Sequence, residues 1–206
     1  MISVLDYGLG NSGSVIRMIE SAGGRAQRIA TPDEVLMSKI LVIPGVGAFD
    51  QGMSQLDCRL LLPALNTMAF NRRIPILGIC LGMQLMCLKS EEGKLPGLGW
   101  INAEVKRLGD PKITGLRVPH IGWNTLRVVR NNPLLSAESQ IERFYFVHSF
   151  KVCCNDQEDV ISLTNYGQEF VSAFQRGNLF GVQFHPEKSH RFGFGLIKRF
   201  ISFQNA

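Results

Sequence analysis

Gly78-Ile79-Cys80-Leu81-Gly82 follows an apolar run that begins at Pro75, and a helical pattern from Leu81 to Leu88 follows it. A buried strand that turns at Gly-x-nucleophile-x-Gly straight into a helix belongs in a parallel sheet covered on both faces. The first half of the chain supplies such a sheet. Ile2 to Tyr7, Arg25 to Ala30, Lys39 to Ile43 and Pro75 to Ile79 read as strands. Ser12 to Ala22 reads as a helix with Val15, Ile16, Met18 and Ile19 inward, and Met53 to Phe70 carries helical spacing broken near Pro63. The second half changes character. Trp100 to Leu108, Arg143 to Cys153, Val160 to Asn165, Phe170 to Gln175 and Leu179 to Phe184 read as strands between turn signals, before a last helix from about Phe194 to Phe203. The expectation is an α/β fold. Its central sheet is mostly parallel with helices on both faces, extra antiparallel strands come from the second half, and one domain spans 1–206.

Bulk properties narrow the function. A chain of 206 residues with 45% hydrophobic and 19% charged residues has ample material for one core. No apolar run reaches the roughly 18 residues of a membrane span. The first residues, Met1 to Asp6, read as a strand and not as a secretion signal. Cys58, Cys80, Cys87, Cys153 and Cys154 are odd in number and show no C-x-x-C spacing, which points to a reducing cytoplasm. The net charge of +5 is scattered, with no basic run longer than Arg72-Arg73. A solvated basic surface explains it better than nucleic-acid binding.

Covalent acyl transfer needs a nucleophile, a base and a group that orients the base. Cys80 has the place of the nucleophile. Gly78 and Gly82 remove side chains where the backbone packs tightly, the helix start favours an anionic sulfur, and the Leu81 N–H is left to bind an oxyanion. A lone cysteine is more often a small buried hydrophobe, and that reading is kept for Cys58, Cys87, Cys153 and Cys154. Among His120, His148, His185 and His190, His185 stands out. Glu187 follows two residues later in a segment read as extended, across the stiffening Pro186, so both side chains point one way. The carboxylate fixes the imidazole tautomer and the other ring nitrogen faces the thiol. Pro44-Gly45-Val46-Gly47-Ala48-Phe49 ends the third strand. Its glycines permit a positive φ or a peptide flip, so Val46 and Gly47 are read as a second oxyanion donor segment, with Gly45 and Gly47 as hinges. Gly8-Leu9-Gly10-Asn11-Ser12-Gly13 matches a dinucleotide fingerprint, but no acidic residue closes the second strand at Ile29-Ala30-Thr31. It is read as a loop that packs tightly and faces a ligand or partner.

Together these segments resemble the class I (triad) glutamine amidotransferases over nearly the whole chain. Asp6 to Asn11, Pro44 to Gly47, Leu77 to Met86, Pro119 to Asn124, Tyr145 to Phe150 and Gln183 to Ser189 are similar to successive motifs of that family. The resemblance implies a flavodoxin-like sheet and hydrolysis of L-glutamine to L-glutamate and ammonia, with no cofactor and no metal. It implies Gln84, His148, Ser149 and Phe150 as substrate-binding residues. It also implies a heterodimer with a cyclase subunit that receives ammonia through a tunnel, and by position Asn11, Trp123 and Lys188 lie at that interface. After Ser189 the chain continues His190-Arg191-Phe192-Gly193, where similar sequences feed ammonia to surface-polysaccharide sugar synthases, so that acceptor is the alternative. Two rivals of other classes are a free-standing hydrolase of peptides or γ-glutamyl chains and a nucleotide-binding module. The second leaves Cys80, His185 and Glu187 without a purpose.

Overall fold

A computed structural model describes residues 1–109, 115–135 and 142–203. Its strands in chain order are β1 (Ile2–Leu5), β2 (Ala26–Ile29), β3 (Leu41–Gly45), β4 (Ile76–Cys80), β5 (Lys89–Ser90), β6 (Ala103–Arg107), β7 (His120–Thr125), β8 (Arg127–Val128), β9 (Arg143–His148), β10 (Phe150–Cys154), β11 (Val160–Tyr166), β12 (Gln168–Arg176) and β13 (Leu179–Val182). Its helices are α1 (Ser12–Ser21), α2 (Pro32–Leu36), α3 (Phe49–Cys58), α4 (Leu61–Asn66), α5 (Leu81–Leu85) and α6 (His190–Ser202). The main sheet runs β2-β1-β3-β4-β13-β12-β10-β6-β5. From β2 to β13 every pairing is parallel, which is the doubly wound order with β13 in fifth place. Beyond β13 the sheet continues antiparallel through β12 and β10. The expected mostly parallel α/β sheet with antiparallel additions is what the chain forms.

Strand alternation sends side chains into two cores. Leu5, Leu41 and Ile43 meet Phe49, Met53, Leu61 and Leu81 on the side of α3, α4 and α5. Ile2, Val4, Val42 and Phe180 meet Val15, Ile19, Leu196 and Phe200 on the side of α1 and α6. With both faces covered, the central strands read as continuous apolar runs.

Some local expectations change. The long helix breaks at Leu60, which has φ +58, and not at Pro63. Pro63 is the third residue of α4, where an N–H has no intrahelical acceptor and its loss costs little. The segment Arg143 to Cys153 divides at Ser149. β9 pairs with β7 in a separate two-stranded sheet, while β10 joins the main one between β12 and β6. That division sets His148 and Ser149 at a corner above the end of β4.

Candidate active site

Three neighbouring strands deliver the site to one end of the sheet. Gly45 of β3 pairs with Cys80 at the end of β4, and Val182 of β13 pairs with Ile79. Chain ends beyond parallel strands are where α/β sheets open a crevice. A cleft of about 500 Å³ lies there, and Val46, Gly47, Cys80, Leu81, Gln84, His148, Ser149, Phe150, His185 and Lys188 all line it.

Cys80 has φ +54 and ψ −108, a conformation that L-residues rarely hold and that costs on the order of 1–3 kcal/mol. The glycines explain how the turn closes. A Cβ on Gly78 would lie 2.6 Å from the Gly82 carbonyl oxygen, and one on Gly82 would lie 1.8 Å from the Ile43 carbonyl oxygen. Gly82→Ala must therefore push α5 off β3. We expect a loss of about 3 kcal/mol, the upper end of overpacking costs, read as a lower urea midpoint at unchanged slope. An unchanged midpoint would show that the contact yields freely.

The thiol of Cys80 is 3.9 Å from the Val147 carbonyl oxygen, and the Gln183 Nε2–H donates toward it across 3.7 Å. Leu81 and Gly82 open α5, so their N–H groups have no acceptor within the helix. His185 Nδ1 meets Glu187 Oε1 at 2.7 Å, with both side chains buried. The pair does not share an extended segment as expected. Glu187 lies in a tight turn over Pro186–Lys188, and this turn, not strand alternation, brings the carboxylate back to the ring. His185 Nε2 is buried and has no hydrogen bond of ordinary geometry among the described residues. Burial alone pushes the imidazole down, but the nearby Cys80 and the Glu187 carboxylate outweigh it and lift the group to about 10. His185 is thus held as an imidazolium well above its ordinary range.

The loop between β3 and α3 divides the work of its glycines. Gly47 has φ +112 and open surroundings: a Cβ placed there would meet nothing closer than Gln51 Oε1, at 3.5 Å. Gly45 has no such φ. Its missing side chain makes room for the Tyr7 hydroxyl, which would stand 2.5 Å from a Cβ, and for the Gly82 nitrogen at 2.8 Å. Only Gly47 has the backbone of a hinge. Gly10, with φ +109, packs against the Pro44 backbone, so the Gly8 to Gly13 loop supports this segment as a tightly packed turn.

Gln84 reaches across the cleft floor, donating to Phe150 O at 3.2 Å and to Gln183 Oε1 at 3.0 Å. Trp123 is 45% exposed, and Tyr145 joins it to Lys188: the rings of Trp123 and Tyr145 lie 6.2 Å apart, and the Lys188 ammonium sits 5.8 Å from the Tyr145 centroid. Asn11 is exposed at the start of α1, which packs beside the turn that carries Lys188. Glu92 also lines the cleft, with Oε2 accepting from the Phe49 N–H at 2.9 Å. Sequence reading missed Glu92 because Glu91-Glu92-Gly93 looks like an ordinary polar turn. It missed Val147 and Gln183 as groups facing the thiol, Val147 because it contributes only its backbone carbonyl and Gln183 because it lies two positions before His185 at the end of an apolar strand.

A cysteine on a strained strand-to-helix turn, facing a histidine clamped by a glutamate, is the layout of a class I glutamine amidotransferase. The chain belongs to that family: the family model described as "Glutamine amidotransferase class-I" matches residues 3–201. Its curated relatives include imidazole glycerol phosphate synthase subunit HisH 2 of Pseudomonas aeruginosa, 43% identical over 201 residues with 98% of each chain covered. The HisH 2 subunit of Methanococcus maripaludis is 45% identical over 204 residues, again with 98% of each covered. The HisH subunit of Leptospira borgpetersenii is 41% identical over 203 residues, covering 98% of this chain and all of the relative. Among solved structures, a glutamine amidotransferase superposes with TM-score 0.77 at 16% identity, covering 100% of this chain and 99% of that one. The PurLQS structure from Thermotoga maritima gives 0.74 at 20% identity, with 99% and 97% covered. At that identity these two likenesses speak for the fold alone.

Proposed function

We propose that this chain is the glutaminase subunit of imidazole glycerol phosphate synthase, working as one domain over 1–206 in the cytoplasm. It hydrolyses L-glutamine and passes the ammonia to a HisF-type cyclase subunit in a heterodimer. There the ammonia is joined to a phosphoribosyl-formimino substrate, which splits into imidazole glycerol phosphate and an aminoimidazole carboxamide ribotide on the way to L-histidine. One observation carries the catalytic half: Cys80 and His185 face one cleft while Glu187 holds the far nitrogen of the imidazole.

The Cys80 sulfur, a thiolate whose proton His185 holds, attacks the side-chain amide carbon of glutamine. The carbonyl oxygen becomes an oxyanion received by the Leu81 N–H and, from the other wall, by the Val46–Gly47 segment. His185 gives its proton to the leaving nitrogen, the C–N bond breaks, and a thioester and ammonia remain. Water then attacks the thioester, losing a proton to the neutral imidazole, and glutamate leaves as the thiol is restored. Gln84 and the Ser149–Phe150 backbone bind the substrate. The glutamine ammonium and carboxylate find opposite charges in Glu92 and Lys188, both of which line the cleft.

Ammonia release from glutamine, measured with and without a HisF cyclase, tests this reading. Release that is stimulated by the cyclase supports it, and no release in either case overturns it. His190 stacks parallel on exposed Trp123 at 5.6 Å, so the unusual segment after Ser189 borders the proposed partner face. Repeating the assay with a sugar-pathway synthase in place of the cyclase decides between the two acceptors.

The charge on His185 gives a second test. Burial lowers the group, but Cys80 and Glu187 together raise it, so these partners stabilise the fold fully below the ordinary histidine range, and this is lost as pH rises through about 10. Glu187→Gln removes the counter-charge and leaves only a neutral amide oxygen to accept from the charged ring. The His185 midpoint, followed by NMR titration, should move down. A midpoint that stays or rises would mean that Glu187 does not hold the imidazolium.

A further inference from the structure

We infer that His120 is a positioning residue for the glutamine pocket. It acts through His148 by a chain of hydrogen bonds whose direction is fixed. The inference deepens the glutaminase reading and rests on it.

The chain starts at a carbonyl. His148 Nδ1 lies 2.8 Å from Phe150 O, and a carbonyl only accepts, so Nδ1 carries the proton. Burial, the first cause, and the neighbouring histidines push His148 down to about 3, against a smaller lift from Phe150, so the ring is neutral and its Nε2 is bare. His120 Nδ1 lies 3.0 Å from that Nε2 and must donate to it. Burial pushes His120 down to about 4, leaving its own Nε2 as an acceptor. Asn124 faces that atom with its amide nitrogen at 3.5 Å. The orientation of this amide is fixed independently, because the Thr125 N–H donates to Asn124 Oδ1 at 2.8 Å and Nδ2 donates to Asn165 O at 2.9 Å. Every proton in the series points from β7 toward Phe150 O.

Packing holds the His120 ring in place. It stacks between Phe146 at 5.0 Å and Tyr166 at 4.0 Å, with interplanar angles of 25° and 27°. His120 itself is buried and does not line the cleft. Its effect reaches substrate through Phe150 O, which receives His148 and Gln84 together. Gln84 in turn donates to Gln183, whose amide faces the Cys80 sulfur. With the His120 proton gone, His148 Nε2 becomes a buried acceptor with no donor. The ring is then free to turn its protonated nitrogen away from Phe150 O.

The test uses two readouts on the full chain. Long-range ¹⁵N–¹H correlation should show both histidines neutral with the proton on Nδ1. A proton on His148 Nε2, or an imidazolium at neutral pH, would overturn the inference whether or not glutamine is turned over. In steady-state assays with the cyclase subunit, His120→Leu should raise the glutamine KM about tenfold, the worth of one hydrogen bond, with kcat within about twofold. His120→Asn keeps a donor near the Nδ1 position and should hold KM within about twofold of the parent. Equal KM rises in both variants, or a fall in kcat alone that tracks lost folded protein, would reduce His120 to packing. No ammonia release by the parent chain would sink the glutaminase reading, with the tautomer readout still deciding the geometry.

Discussion

Cys80→Ala and Cys80→Ser are expected to abolish glutamine hydrolysis, with kcat down by roughly 10⁶-fold, while the chain stays folded. The fold survives because alanine and serine keep the Cβ that Cys80 already carries at φ +54, and the glycines that close the turn are untouched. Activity does not survive, because no other thiol reaches the cleft. Cys87 is buried among core residues and burial holds its thiol well up, with Cys154 and Cys153 adding to it. Burial, then Asp159, push Cys154 up to about 12. Cys58 is exposed at the end of α3 and does not line the cleft. A glutamine-analogue electrophile should therefore label Cys80 alone, and mass spectrometry of the labelled chain reads this directly. His185→Ala should cost nearly as much, since thiolate formation and protonation of the leaving nitrogen both pass through that ring. Glu187→Gln should cost about 10⁴-fold, because it orients the ring and does not itself react. The double change should fall far short of the product, as members of one proton-transfer unit do. Loss of activity with label on Cys58, or full activity in His185→Ala, would overturn the assignment.

Much of this site was legible because its residues are tied to local chain geometry. Gly-x-Cys-x-Gly after an apolar run specifies a tight strand-to-helix turn, and the turn is there with Gly78 and Gly82 against backbone atoms. The doubly wound core was legible because strands buried on both faces leave unbroken apolar runs. What was missed depends on pairing at long range. β7 carries His120, Gly122 and Asn124 inward and Ile121, Trp123 and Thr125 outward, but its identity as a strand comes from β9, which begins only at Arg143. The break at Ser149 is likewise invisible locally, since two sheets compete for one continuous β-like run. Helix α2 was overlooked although Thr31 and Glu34 form a capping box, because five residues give no periodicity to read. The contact of Glu187 with His185 has a different origin from the expected one: alternation suggested a shared face, and the turn at Pro186 brings the two together.

The isolated chain is expected to hydrolyse glutamine slowly, and a ligand-loaded cyclase to raise kcat by about 10²–10³, the usual worth of one oxyanion donor. A lone glutaminase would leak ammonia into water, so the second donor is the natural element to withhold. Val46 is 43% exposed at the cleft mouth, on a segment whose far end, Gly47, has φ +112 and room around it. Rotation of the peptide there can present or withdraw an N–H without disturbing Cys80. Gly45 cannot share that role. A side chain on it strikes Tyr7, Gly82 and Leu81, so a bulky substitution would damage the elbow itself. Gly47 is the better probe. Gly47→Ala adds a Cβ that meets nothing nearer than 3.5 Å, so it acts on backbone freedom and not on packing. It should leave assembly with the cyclase intact and reduce the stimulated kcat toward the basal value, with KM little changed. Steady-state assays on the free chain and on the complex, alongside a binding isotherm for the two subunits, measure each part. If the free chain already turns over at the rate of the complex, the loop is not a switch. If Gly47→Ala is stimulated as fully as the parent, the hinge lies elsewhere.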